Sequence, residues 1–191
     1  MEEKSIKRSN LLLVVLGGSI VFFMQTGFAL LEAGSIRMKN NDYILLKNLM
    51  DACVCGMVWW ATGYGFAFGK LSEQGLIGTS KFFCSGFGPG NNEYARWFHS
   101  WVFAANASTI VSGALAERVN VYTYLVFSAF MCGFIYPTIA AWAWNTDDDG
   151  VKGYLLEIGF MDTAGGGVVH LTGGVASLVG AAILGPRLGV F

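Results

Sequence analysis

Five apolar stretches separated by polar segments dominate the pattern of residues along the chain. Each is close to the roughly 20 residues that a helix needs to cross a hydrocarbon core. The stretches lack the strict apolar and polar alternation that is typical of membrane strands. The pattern therefore predicts an all-α integral membrane protein with five transmembrane helices, at about residues 11–31, 49–68, 97–116, 122–144 and 163–184.

The first stretch has a second interpretation, as a cleaved signal peptide. Lys4, Lys7 and Arg8 precede it, as basic residues precede a signal core. Its apolar run continues as far as Glu32, however, and is longer than an ordinary signal core. We therefore favour a helix that is retained in the mature protein.

The segments between the stretches differ in length and charge. Residues 33–46 and 117–121 are short and contain basic residues, whereas residues 70–95 and 145–161 are longer. Short basic loops usually face the cytoplasm. This asymmetry predicts that the N-terminus lies outside the cell.

Composition agrees with a lipid environment. Of the 191 residues, 54% are hydrophobic and only 13% are charged, whereas a soluble domain carries about a quarter charged residues. The formal net charge of −1 provides no basic surface for nucleic acid. Membrane lipid is the expected surrounding, and no nucleic-acid partner is expected.

The cysteines give no sign of a metal site. Cys53 and Cys55 are two residues apart, so on a helix they point to different sides. Cys84 and Cys132 stand far from them in the sequence. All four are interpreted as free thiols, most of them buried in apolar runs, and neither a metal nor another cofactor is predicted.

Two titratable residues stand at or inside the fifth stretch. Asp162 occupies the position of a helix N-cap, and a fixed anion at a pore mouth would also attract a cation. His170 follows by about 12 Å along the helix axis, well into the membrane. A neutral imidazole there offers one donor and one acceptor, for a pore or for a single hydrogen bond to a neighbouring helix.

Other conspicuous side chains have ordinary structural interpretations. Glu32, Lys47 and Arg118 stand near the ends of stretches and are expected to reach the interface. Trp144 ends the fourth stretch, where tryptophan often belongs to the aromatic belt of the bilayer. Phe103 lies inside the third stretch, where most aromatic residues face lipid or the protein core.

Several long motifs, in the same order, resemble the ammonium transporters (Amt/Mep, with the Rhesus proteins as distant relatives). Residues 24–34 read MQTGFALLEAG and are similar to the first-helix motif of that family. Residues 47–51 and 63–69 resemble its second helix, and residues 112–118 close its third. Residues 162–187 are similar to the family signature nearly throughout. The resemblance covers essentially the whole chain.

The resemblance implies a fold and a set of partners. The family usually has about eleven helices, with two inverted five-helix repeats around a pore in each subunit of a homotrimer. Residues 1–191 would then form the first inverted repeat, and the second repeat would be absent. On this basis the chain is expected to be a fragment of a longer protein, located in the plasma membrane.

The resemblance also implies a site. Trp144 and Asp162 match the external recruitment site, Phe103 matches one ring of a double-phenylalanine gate, and His170 matches the first pore histidine. His99 stands where the family often has an aromatic residue, so we expect it in the vestibule, where it would add pH sensitivity.

The expected function is transport of ammonium or ammonia by the full-length protein. The alternative is a truncated, non-conducting relative that acts as a regulatory subunit or ammonium sensor. An enzyme is not predicted, because the sequence carries none of the common hydrolase or nucleotide-binding motifs. Asp162 and His170, about two turns apart, are too distant for a direct acid–base pair.

Overall fold

Helices make up most of the chain. A computed structural model describes residues 2–88, 92–187 and 189. Its α-helices are α1 (Glu2–Ser35), α2 (Asn41–Val58), α3 (Tyr64–Phe68), α4 (Glu93–Leu115), α5 (Val121–Phe130), α6 (Tyr136–Trp144), α7 (Tyr154–Glu157) and α8 (Thr172–Leu184). Short 3₁₀ turns lie at Met38–Asn40 and Phe82–Cys84. The described residues contain isolated β-bridges in the loops but no named strand.

Three π-helical segments interrupt or extend these helices. Trp59–Gly63 joins α2 to α3, Met131–Ile135 joins α5 to α6, and Gly166–Leu171 leads into α8. The helical rods are therefore α1, α2–α3, α4, α5–α6 and the π segment with α8. These rods correspond to the five predicted stretches. Such wide turns often accompany functional sites.

Four of the rods are long and apolar enough to cross a membrane. They comprise Ser9–Ser35, Met38–Phe68, Val121–Trp144 and Gly166–Leu184. The remaining rod, α4, matches the third predicted stretch in position but is more polar, and it packs against α1, α2 and α8. That α4 also spans the membrane remains a prediction.

Helix boundaries differ from the apolar stretches mainly at polar ends. The second rod begins at Asn41, before the predicted start near residue 49, because its first turns carry polar residues such as Asp42. The fifth rod begins at Gly166, after the predicted start at 163. Residues 162–165 instead form a turn that is ordered by a side chain, as described below.

One end of the bundle is tied together by ionic and polar contacts. Arg37 lies in the turn after α1, and its Nε is 3.1 Å from Oε1 of Glu117, which follows α4. Arg187, beyond α8, donates from Nη1 to the carbonyl oxygen of Ser35 at 3.1 Å. The ends of α1, α4 and α8 therefore meet on the same side, as the short connecting loops require.

The charged residues near the span ends do not all reach the interface. The side chains of Glu32 and Lys47 are each only 4% exposed, and Nζ lies 3.1 Å from Oε2. Arg118 donates from Nη1 to the carbonyl oxygens of Ala181 and Gly185 at the end of α8. The expectation of interfacial side chains is wrong for Glu32 and Lys47, because each is buried against a partner on another helix that hydropathy cannot reveal. Arg118 is half-buried, and that its side chain reaches the interface stays a prediction.

Two of the four cysteines are paired. Cys55 on α2 and Cys132 in the π segment Met131–Ile135 form a disulfide, with Cα atoms 5.5 Å apart. Cys53 and Cys84 are free. The prediction of four free thiols is therefore wrong for one pair, because the two partners meet across helices and not along one helix.

Candidate functional site

The predicted site residues of α4 and α6 come together around one cavity. Its volume is about 290 Å³. Four of its lining residues were singled out from the sequence, namely His99, Phe103, Trp144 and Asp162; the others are Phe68, Ser100, Thr163 and Ala164. The cavity is thus aromatic on three sides and closed by the turn that precedes the fifth rod.

Asp162 organises that turn. Its Oδ1 accepts hydrogen bonds from the backbone N–H groups of Gly165 (2.8 Å) and Gly166 (3.0 Å), and its Oδ2 accepts from those of Gly167 (2.9 Å) and Val168 (2.7 Å). Gly165 has φ +83°, a left-handed conformation that favours glycine. The glycine run therefore lets the backbone wrap around the carboxylate. The predicted N-cap position is wrong, because the N-cap is Gly165, but the Asp162 carboxylate does bind free N–H groups at the start of this helix.

This arrangement of hydrogen bonds stabilises the ionised form of Asp162. Partial burial raises the pKa of the carboxyl group, but the four backbone N–H donors outweigh that effect and keep the pKa below its usual range. The carboxylate is therefore ionised at neutral pH. Its oxygens bind the backbone, so its influence on the cavity is through its field and through the shape of the turn.

Trp144 is fixed against the same turn. Its indole Nε1–H donates to the carbonyl oxygen of Asp162 at 2.7 Å. Its ring lies edge-to-face with Phe103, with centroids 6.1 Å apart and planes at 71°. The indole is thus held at one edge by a hydrogen bond, and the cavity lies beside its ring and that of Phe103.

His99 lies one helical turn before Phe103 on α4. The two rings meet edge-to-face, with centroids 5.1 Å apart and planes at 62°. The other side of the imidazole approaches α1, because a Cβ built on Gly17 would lie 3.8 Å from Nε2. His99 therefore lines the cavity in contact with Phe103; that this cavity is a vestibule and that Phe103 forms a gate stay predictions.

A larger cavity of about 520 Å³ continues outward from the smaller one. Both are lined by Phe68, His99, Ser100 and Trp144, and the larger one extends to lysines, an arginine and the acidic segment 147–149. Lys70 and Asp149 form an exposed ion pair there, with Nζ 2.7 Å from Oδ2. The larger cavity is therefore polar and mixed in charge, whereas the smaller one has mostly aromatic walls.

His170 lies apart from this cluster. It is exposed in the π segment Gly166–Leu171 and lines neither cavity. Its Nδ1 is 3.1 Å from the carbonyl oxygen of Gly165, and because a carbonyl only accepts, Nδ1 carries the proton. Nε2 is then the acceptor nitrogen of the imidazole.

Phe68 and Ser100 line both cavities, but no function was predicted for Phe68. Phe68 ends α3, where Asn145 Nδ2 donates to the neighbouring Gly69 carbonyl at 2.9 Å. The signal was present in the glycine and aromatic motif 63–69, which was assigned to a helix without a role. Phe68 is the last aromatic residue of that motif, which was the available clue.

The long apolar helices define an integral membrane protein, in which a cavity lined by aromatic residues lies near the start of α4 and the end of α6. Residues 11–191 match the model of the Ammonium Transporter Family, and the chain belongs to that family. The family is one of transporters, not enzymes.

Individual relatives agree with this assignment. The chain is 44% identical over 177 residues to a putative ammonium transporter 1 of Caenorhabditis elegans, covering 90% of this chain and 32% of that protein. It is 39% identical over 173 residues to ammonium transporter 3 of Dictyostelium discoideum, covering 91% and 38%.

Solved structures are also similar. A structure described as a sensor Amt protein matches with a TM-score of 0.90 and 39% identity, covering 98% of this chain and 47% of that one. Mep2 of Candida albicans matches with a TM-score of 0.80 and 28% identity, covering 94% and 40%. The chain thus spans less than half the length of these relatives.

Proposed function

We propose that the full-length protein carries ammonium or ammonia across the plasma membrane, and that this chain supplies one entrance and one pore wall. The observation that carries the proposal is the cavity in which Trp144, Phe103 and the Asp162 turn meet. Aromatic rings attract a cation that is losing its water. The nearby carboxylate adds a negative field to the same entrance.

The proposed path leads from this recruitment site past Phe103 to His170. An apolar ring blocks a hydrated ion, so water has to be shed before passage. The acceptor Nε2 of a neutral His170 then provides a hydrogen-bond partner for the N–H groups of the substrate. In this scheme α4 spans the membrane, the N-terminus lies outside, and the full-length protein forms a homotrimer.

The test is uptake of radiolabelled methylammonium by cells that lack their own ammonium transporters and express the full-length protein. Phe103→Ala, Trp144→Leu and His170→Ala are each expected to reduce or alter uptake at equal protein level. Phe130→Ala is the control, because Phe130 is an exposed aromatic residue on α5 away from the cavity. Wild-type protein without uptake above background would overturn the proposal.

A second candidate function is ammonium sensing without transport. The similarity to the structure described as a sensor Amt protein favours it. Purified full-length protein in liposomes distinguishes the two functions. Saturable ammonium binding without any flux across the vesicle membrane would establish the sensor, whereas flux that saturates with ammonium would establish the transporter.

A further inference from the structure

A completely buried carboxylate lies behind α4. Asp51 on α2 has no exposed surface. Its Oδ1 accepts hydrogen bonds from the hydroxyls of Ser128 (2.5 Å) and Ser108 (2.9 Å), and its Oδ2 accepts from Thr109 (2.8 Å). Ser108 and Thr109 belong to α4, and Ser128 belongs to α5. One side chain of α2 therefore binds two other helices.

The same cluster also reaches α1. The Thr109 hydroxyl lies 2.7 Å from Oε1 of Gln25, 2.8 Å from Oδ2 of Asp51 and 2.9 Å from the carbonyl oxygen of Ala105. A hydroxyl has one hydrogen and cannot donate to three acceptors. Nε2 of Gln25 is buried and has no partner in this orientation of the amide.

Turning the Gln25 amide by half a rotation gives Nε2 a partner in Thr109 and leaves Oε1 in the buried position where Nε2 had none. Nε2 then donates to Thr109, and Thr109 donates to Asp51. The hydrogen bonds now run in one direction, from α1 through α4 to α2. Asp51 accepts hydrogen bonds from three hydroxyls on α4 and α5. Through Thr109 it is also linked to Gln25 on α1.

The cluster holds α4 from the side opposite the cavity. Ser108 follows Phe103 by five residues, which at about 3.6 residues per turn places it about 140° around the helix. Phe103 and His99 face the cavity, whereas Ser108 and Thr109 face the buried carboxylate. A rotation of α4 about its axis would therefore move the aromatic ring and break the hydrogen bonds together.

Apolar packing alone specifies such a rotation poorly, because it is not directional. Hydrogen bonds are directional, and Asp51 accepts three of them at 2.5–2.9 Å. On the α8 side, the polar contact to α4 is a single bond, from the Ser177 hydroxyl to the Ile110 carbonyl oxygen at 3.2 Å.

We propose that Asp51 is a positioning residue, which sets the rotation of α4 and thereby the place of Phe103 at the entrance. The inference rests on the proposed role of Phe103 in transport. Asp51 touches no substrate in this scheme. Its effect on transport comes through the geometry of α4.

The chemistry of asparagine separates geometry from charge. In Asp51→Asn, the amide oxygen still accepts from Ser108 and Ser128, while the new Nδ2 donates to Thr109. Thr109 then accepts from both amides and donates to the carbonyl oxygen of Ala105. The contacts of residue 51 with all three hydroxyls are retained without the negative charge, whereas Asp51→Ala removes the group that the three hydroxyls share.

The experiment compares Asp51→Asn, Asp51→Ala and Ser108→Ala in the full-length protein, with methylammonium uptake normalised to protein in the membrane. We expect KM within about twofold of wild type for Asp51→Asn, but raised about fivefold or more for Asp51→Ala. Ser108→Ala, which removes one of the three hydroxyls, should raise KM by about two- to threefold. Thr138→Ala is the control, because that exposed hydroxyl bonds only within its own helix, to the Phe134 carbonyl oxygen.

A second measurement does not depend on transport. Phe103→Cys is introduced where Cys53 and Cys84 are serine, and its rate of reaction with a thiol reagent is compared in the Asp51 variants. Asp51→Ala should change the rate several-fold, and Asp51→Asn should leave it unchanged.

Each outcome decides a different point. An equal loss in Asp51→Asn and Asp51→Ala would show that the charge matters, and would overturn the positioning role. An unchanged KM and labelling rate in Asp51→Ala and Ser108→Ala would overturn it too. Absence of uptake in the wild type, with altered labelling in Asp51→Ala, would refute the proposed transport and leave the positioning of α4 intact.

Discussion

The two faces of α4 are built from different chemistry. The front face presents Phe103 and His99 to a cavity and is held there by ring contacts. The back face presents Ser108, Thr109 and Ser112 to buried charged and polar groups of α1, α2 and α5. Helices in lipid gain little from apolar burial against one another. Directional polar contacts therefore fix the helix from behind, which leaves the front free to form a passage.

The largest expected effect comes from breaking the buried ion pair behind α4. Lys47→Met leaves the Glu32 carboxylate buried without its partner, and the free energy of unfolding should fall by about 3–5 kcal/mol. Unfolding of the full-length protein in mixed micelles measures this. Adding Glu32→Gln to the same chain should recover part of the loss.

The matched control is Lys70→Met, which removes one partner of the exposed pair with Asp149, whose side chains are 65% and 61% exposed. We expect no measurable change in unfolding there. Equal losses of unfolding free energy in Lys47→Met and Lys70→Met would mean that burial does not strengthen the contribution of the Glu32–Lys47 pair to stability.

The next effect concerns the front of α4, where α8 approaches closely. A Cβ built on Gly173 would lie 2.9 Å from the carbonyl oxygen of Ala107 and 2.9 Å from Cβ of Ile110. Gly173→Ala should therefore push α8 away and cost about 1–3 kcal/mol of unfolding free energy, with reduced uptake. Gly174→Ala is the neighbouring control, since nothing lies within 4 Å of its Cβ position. Similar losses at both glycines would contradict close packing of these helices.

A smaller effect is expected at the turn that closes the cavity. Asp162→Asn keeps one acceptor oxygen where the carboxylate has two, so the variant should lose about 1 kcal/mol of unfolding free energy at neutral pH. The pKa of Asp162 is depressed in the folded protein, so its stabilisation is complete above the ordinary value of about 3.9. The stabilisation disappears as the pH falls through the folded-state pKa.

The free energy of unfolding, measured for the wild type and for Asp162→Asn over a range of pH, tests whether this stabilisation is lost in acid. The difference between the two proteins should shrink in acid. A difference that stays constant down to the lowest measurable pH would mean that the charge of the carboxylate is not what stabilises the turn.

The smallest effect is expected at His99, on the front face of α4. Protonation in acid gives histidine a positive charge, and a cation in the vestibule would repel ammonium. Wild-type methylammonium uptake should therefore fall in acid, against a background set by Arg96 and the acidic segment 147–149. His99→Gln, which stays neutral, should flatten the profile and change uptake about twofold or less at pH 7.5. If the pH profile of uptake in His99→Gln were identical to that of the wild type, His99 would not cause the pH dependence.

Hydropathy alone predicted the rods, because lipid requires long apolar helices. The comparison of motifs singled out Trp144, Phe103, Asp162 and His99 as site residues. In the structure all four line the same cavity. The roles assigned to them, and to His170, remain predictions. Their positions were accessible because they occur in long, distinctive runs of sequence.

The back of α4 was not predictable in the same way. Asp51 lies in a polar motif where nothing indicates that hydroxyls from α4 and α5 converge on it. The pairing of Cys55 with Cys132 was not predictable for the same reason, because the partners are 77 residues apart in the sequence and meet only in the fold. Contacts between helices depend on how each helix is rotated about its axis and on its position along that axis. The π segments change both without a clear sequence signal.

The contact of Arg118 with the end of α8 has a consequence for synthesis. Arg118 is synthesised well before the carbonyl groups of Ala181 and Gly185 exist, since those residues are 63 and 67 positions further along the chain. On the nascent chain its guanidinium is therefore without these acceptors until the fifth rod has been inserted. Docking of that rod then completes a bond that earlier insertion intermediates lack, so an arrest of translation before Gly185 should leave α4 with a loosely held end.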